Sequence, residues 1–109
     1  MADTLLVLGQ AYPTAGILTT LYTVPAATSV ASSSLMICNQ TASTSKVRVS
    51  IAIAGAADTP AQYIRFDSPL LANEARTIVA GLTLATTDVV RVYSDTGAVS
   101  FVLSGVQVT

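Results

Sequence analysis

The residues of this chain that could do chemistry are few and scattered. Its six acids, Asp3, Asp58, Asp67, Glu74, Asp88 and Asp95, stand singly along 109 residues. Two carboxylates meeting in space could share general acid and base work, as in glycosidases. Most of these acids fall where turns are expected, however, and there an aspartate is usually spent on local backbone hydrogen bonds. The chain has no histidine, so it lacks the commonest general base and metal ligand and cannot build a Ser–His–Asp or Cys–His arrangement. Asp58 and Asp88 could each lend oxygens to calcium, but the aspartate-rich spacing of a dedicated loop is missing. The six glycines, Gly9, Gly16, Gly55, Gly81, Gly97 and Gly105, never take the spacing that cradles a phosphate. Cys38 is the single cysteine, too few for an internal disulfide or a cysteine metal site. After Leu35, Met36 and Ile37 it reads as a small buried hydrophobe. The reading is of a non-enzyme with no catalytic residue, no cofactor and no metal.

Two further groups have a binding reading. The four tyrosines and two phenylalanines could stack on a sugar, but Tyr22 and Tyr93 lie in strand-like runs, where a core or subunit interface is the commoner use. Arg65, Arg76 and Arg91 lie in or beside such runs. An outward arginine there, across from Asp67 or Asp88, reads first as a cross-strand pair and second as a contact for a partner.

The elements that must position these residues are strands. Helical periodicity is nearly absent; short alternating runs are separated by Gly, Pro, Asn, Asp and Ser/Thr clusters. Val47, Val49, Ile51 and Ile53 alternate with Lys46, Arg48, Ser50 and Ala52, which predicts a strand with one buried face. Ile64 and Phe66 alternate in the same way with Tyr63, Arg65 and Asp67, and Val90 and Val92 point inward if Arg91 and Tyr93 point out. Val99, Phe101 and Leu103 share one parity while Val106 and Val108 share the other, so a bulge at Ser104–Gly105 is expected to reconcile them. Leu5–Leu8, Ile17–Val24, Val30–Asn39 and Thr77–Ala80 supply the remaining strands. Turn signals stand at Tyr12–Gly16, Gln40–Ser45, Gly55–Pro60, Ser68–Glu74, Thr86–Asp88 and Ser94–Gly97. Pro25 and Pro69 belong at strand ends. About eight strands so spaced predict an all-β, single-domain antiparallel β-sandwich, jelly-roll-like, over 1–109. Residues 1–12 read as an N-terminal docking strand or arm.

Charge gives the clearest functional signal. Charged residues are 10% of the chain, against about 25% in an ordinary soluble domain, and hydrophobic ones are 51%. From Thr4 to Ser45 nothing ionises except tyrosine and the Cys38 thiol. A free monomer so built would expose apolar patches large enough to serve as contact surface. A net charge of −1 argues against nucleic acid, which asks for clustered cations. No run approaches the ~18 apolar residues of a membrane span, and Asp3 with no basic N-terminal region argues against a secretory signal. Synthesis in a cytoplasm followed by assembly is the expectation.

Leu8-Gly9-Gln10, Leu21-Tyr22-Thr23-Val24-Pro25-Ala26, Ile37-Cys38-Asn39 and Leu82-Thr83-Leu84, followed by Asp88-Val89-Val90-Arg91-Val92-Tyr93 and Val99-Ser100-Phe101, come in an order that resembles a family of small virion-associated structural proteins of tailed bacteriophages. The family is also met as a module in larger phage proteins. The likeness runs from Leu8 to Val108 and departs between Arg48 and Tyr63. It implies a structural place on the virion of a phage made in a bacterial cytoplasm, with no catalytic residue to carry over. The leading expectation is a capsid decoration or cement protein that binds the major capsid protein as a homo-oligomer, with a trimer favoured. The alternatives are a neck, collar, tail or fibre-base component and a carbohydrate-binding receptor module. The expected contacts are Leu5, Leu6, Leu8 and Tyr12, with Asp58, Arg65, Arg91 and Asp95 on strands and loops beyond.

Overall fold

The computed structural model describes residues 3–109, and the side chains of all of these except 32 and 78–80. Residues 1 and 2 of the expected arm lie outside the described residues. Eight strands follow in order: β1 (Asp3–Ala11), β2 (Thr19–Thr23), β3 (Ser29–Asn39), β4 (Ser45–Ala52), β5 (Tyr63–Leu70), β6 (Ala75–Leu84), β7 (Val89–Ser94) and β8 (Val99–Val108). Two 3₁₀ turns, Ile53–Gly55 and Pro60–Gln62, interrupt the crossing from β4 to β5. The fold is all-β, with two antiparallel four-stranded sheets ordered β1-β8-β3-β6 and β2-β7-β4-β5.

One apolar core lies between the sheets. The first contributes Val30, Leu35, Ile37, Leu84, Val99, Phe101 and Leu103, and the second contributes Leu21, Val47, Val49, Leu70, Val90 and Val92. Alternation places them: Val47 and Val49 are buried while Lys46 is exposed, and Val90 and Val92 are buried between half-exposed Arg91 and Tyr93. The same period puts Val99, Phe101 and Leu103 inside. Fully burying a side chain of this size contributes roughly 1.5–3 kcal/mol, so Phe101 and its neighbours hold the two layers together.

Three sequence expectations about facing residues are corrected. Ile53 is 75% exposed because the chain leaves β4 at Ala52 and enters a 3₁₀ turn with Ala54 at φ 54°. Phe66, read as inward, is 58% exposed, and Ile64 is exposed beside it. The cause is irregular pairing of β4 with β5, where the register shifts between Val47 and Val49 and again between Val49 and Ser50. Asp67, in the first of these irregularities, sits at φ 51°. An extra residue reverses which side of the sheet its neighbours occupy.

The third correction concerns the bulge expected in β8. That strand runs on without an inserted residue, and its two neighbours bulge instead, β1 between Val7 and Gly9 and β3 between Ala31 and Ser34. Gly105 explains the crowding, since a Cβ there would stand 2.8 Å from the Cα of Ser33. Gln107 points toward the second sheet, where its Nε2 donates to the Tyr22 hydroxyl over 2.7 Å. Val106 and Val108 therefore lie on the outer face of the first sheet, half-buried.

Candidate interaction surfaces

The first surface begins at β1, an outermost strand whose sheet neighbour is β8. Its bulge turns Gly9–Ala11 toward β2, so closely that a Cβ on Gly9 would stand 2.5 Å from the Leu21 carbonyl oxygen. The other half, Asp3–Val7, is exposed at every residue. Leu5 is 80% and Val7 55% exposed, and Leu6 also faces solvent. Leu5 pairs with Val106 and Val7 with Ser104, so an apolar groove runs along Leu5, Val7 and Val106 between the strands. Of the sequence-marked contacts, Leu5 and Leu6 lie here, while Leu8 turns in and packs against the core. Tyr12, exposed at the far end of the strand, borders a separate hollow with Gln10, Gln40 and Val102.

The second surface lies on the outer side of β4, β5 and β7. Arg48 and Tyr93 are register partners on adjacent strands, both pointing outward. The Arg48 guanidinium lies 4.4 Å from the centroid of the Tyr93 ring and 4.2 Å from that of Phe66. Its Nε donates to Oδ1 of Asp67 over 2.7 Å. That bond raises the Arg48 pKa further and holds the Asp67 carboxyl below its ordinary value. Tyr63 meets Phe66 edge to face at 5.1 Å and donates its hydroxyl to Oδ2 of Asp58 over 3.0 Å. Burial first, then that bond, raises the Tyr63 pKa. Arg48, Asp58, Thr59, Pro60, Tyr63 and Phe66 line a cleft of about 440 Å³.

The remaining sequence-marked residues are spread. Asp58 lies in this cleft. Arg91 reaches across to the β4–β5 crossing, donating to the Ala56 carbonyl over 2.9 Å, so it pins a loop and pairs with neither Asp67 nor Asp88. Both oxygens of Asp88 are taken by the backbone amides of Ala54 and Ala85. Arg65 is exposed on β5. Asp95 sits at the opposite end, where its Oδ1 accepts the Lys46 amide over 2.8 Å and ties the β7–β8 turn to the start of β4. Arg76 pairs with Glu74 beside it. Sequence reasoning missed the stack of Arg48 between Phe66 and Tyr93, although the outward parity of Arg48 and Tyr93 was a usable signal.

Charge separates the two sheets. Four of the five cations, Lys46, Arg48, Arg65 and Arg91, belong to the second sheet. The outer side of the first sheet offers Leu5, Val7, Met36, Cys38, Val102 and Val106 among serines. Among the described residues no three His, Cys, Asp or Glu side chains lie close enough to hold a metal ion. Comparisons with protein-family models, with curated proteins and with solved structures each find no match.

Proposed function

We propose that this chain is a non-enzymatic structural protein of a tailed-bacteriophage virion, made in the host bacterial cytoplasm and acting as a capsid decoration or cement protein. The observation that carries the reading is the exposed, uncharged first half of β1, Leu5–Val7, continuous with the apolar outer side of its sheet. Apolar surface of this kind on a chain with so few charges gains free energy when a partner covers it. The strand order 1-8-3-6 and 2-7-4-5 supports reading the fold as a jelly roll, an architecture met in viral capsid and lectin domains. The resemblance from Leu8 to Val108 points the same way. A capsid lattice offers many equivalent sites, so modest single contacts become a lasting coat. A neck, collar, tail or fibre-base position would use the same surfaces on fewer copies.

The test is addition of purified protein to phage capsids lacking it, followed by co-sedimentation and cryo-EM. Stoichiometric density at repeated lattice positions is the expected result. Density confined to the neck or tail would move the protein there, and no association with any particle would end the virion reading.

One observation favours a second reading, a carbohydrate-binding receptor module. The cleft at Tyr63 and Phe66 sets aromatic rings beside the polar groups of Asp58 and Arg48, a combination suited to a sugar ring and its hydroxyls. A glycan array without signal would remove it.

A further inference from the structure

We infer that the free edge of β1 pairs with the β1 edge of a second copy, in an antiparallel, two-fold arrangement with Leu6 at the axis. Unpaired strand edges invite addition of another strand, and proteins guard them with charges, proline, bulges or shortness. Three of the four edges here are guarded. β5 carries Arg65, Pro69 and the irregularity at Asp67 with its φ of 51°. β6 carries Arg76, and Gly81 within it sits at φ 79°. β2 is only five residues long and shifts register between Thr20 and Tyr22. β1 is nine residues long and has neither charge nor proline from Thr4 to Ala11. Its one device, the bulge at Leu8, leaves Asp3–Val7 open.

The sequence of that segment suits a copy of itself. With Leu6 opposite Leu6, each Leu5 lies beside the second copy's Val7 on the outer face, where both are exposed, and directly opposed side chains in such a pair touch. The only charges, the two Asp3 carboxylates, then stand at opposite ends, roughly 20 Å apart at ~3.4 Å per residue, beyond the screening length of about 8 Å. Parallel pairing would set them side by side. A two-fold contact also uses one unguarded edge twice, whereas the trimer expected from the sequence would need β1 to pair with a different edge, and the other three are guarded.

The test is sedimentation equilibrium of the intact protein and of Leu5→Lys, with disulfide trapping of Leu6→Cys in a Cys38→Ala background. Leu5 is solvent-exposed, so circular dichroism of Leu5→Lys should match the parent. The expected results are a dimer for the parent, a dissociation constant raised at least about tenfold by the lysine, and Leu6→Cys oxidising to a covalent dimer far faster than Ile17→Cys. A monomeric parent, an oligomer untouched by Leu5→Lys, or equal trapping at positions 6 and 17 would overturn the pairing. A dimer that ignores capsids would leave it standing and sink the virion reading; a monomer that coats capsids would do the reverse.

Discussion

Arg48 reaches Asp67 across the irregular pairing of β4 with β5, its Nε 2.7 Å from Oδ1, and the same bulge that turns Asp67 into the left-handed region turns Phe66 outward beneath the guanidinium. One local departure from regular pairing thus creates both the ion pair and the aromatic stack. The ion pair it creates is one of two that shape the acid response of the fold. The hydrogen bond from Arg48 lowers the Asp67 pKa, and the Leu71 amide, then Arg76, lower that of Glu74. Both folded carboxyls therefore titrate below their unfolded counterparts. Their contribution is complete above the ordinary carboxylate range, about pH 4–5, and is lost as pH falls through the folded values. Melting temperature should decline on that descent. In the double variant Asp67→Asn, Glu74→Gln it should start lower at neutral pH and decline less, and a decline parallel to that of the parent would refute the assignment. Both pairs are partly exposed to solvent, so added salt should shrink the difference.

Asn39 is the polar node of the loop end. It is buried, and its Nδ2 lies within 3.0 Å of the carbonyls of Ser43, Leu70 and Leu71 while its Oδ1 accepts the Thr41 amide. Two N–H groups serving three acceptors tie the β3–β4 loop to the β5–β6 loop. Asn39→Ala should cost about 1–3 kcal/mol by leaving buried carbonyls unpaired. Asn39→Asp should cost more at neutral pH, because a carboxylate would face those carbonyls, and acidification should narrow the gap between the two variants. Chemical denaturation at two pH values measures both.

The glycines that matter are marked by close approach. A Cβ at Gly105 would meet Ser33 backbone at 2.8 Å, and one at Gly9 would meet the Leu21 carbonyl oxygen at 2.5 Å. Backbone cannot swing away as a flexible side-chain tip can, so either alanine should overpack the fold at about 1–3 kcal/mol. Gly9→Ala should be the worse of the two. Equal stability of parent and variants in urea would contradict this.

The sequence made the regular part of this arrangement readable and the irregular part opaque, for a physical reason. Where pairing is regular, as for Val90, Val92, Phe101 and Leu103, a period of two assigns faces, because successive side chains must point to opposite sides. Where a bulge intervenes the same rule fails without warning, as it did at Ile64 and Phe66; at Val106 the rule held, and the bulge expected there was the error. The mismatch in parity after Leu103 was visible, but the inserted residues lie on the partner strands at Leu8 and between Ala31 and Ser34, and pairing partners are not written in a single strand's sequence. The uncharged run that begins at Thr4 was legible from composition, and its exposure on β1 was not. The Arg48 stack was not, since it needs three strands brought into register.

Ser50 tests how the crossing from β4 to β5 covers the outer side of β4. The residue is buried, and among the described residues its hydroxyl is the one buried side-chain polar group with no hydrogen-bond partner. Burying an unpaired hydroxyl costs free energy that a methyl group would not. Ser50→Ala should leave the protein as stable as the parent or more so, by up to about 1 kcal/mol. A clear loss would mean that the hydroxyl is satisfied by ordered water.

Separate substitutions at Phe66 and Leu5 test whether the second sheet, rather than the β1 edge, would attach to a particle. Phe66 is exposed and contacts Arg48 and Tyr63 on the outer side of the second sheet, whereas the apolar edge belongs to the first. Aromatic and arginine side chains held rigid at a surface are the groups that most often dominate binding energy, and Arg48 is already fixed by Asp67 and two rings. If the second sheet meets the capsid, Phe66→Ala should weaken particle binding by at least about tenfold. It should leave the melting temperature nearly unchanged, because little buried surface is lost, and leave the solution mass unchanged, because β1 is untouched. Leu5→Lys should show the reverse: altered mass and intact binding by single chains, reduced only by the lost avidity of a paired attachment. Titration of both variants onto bare capsids, read by co-sedimentation, distinguishes the faces, and equal loss from both substitutions would mean that the two surfaces act as one site.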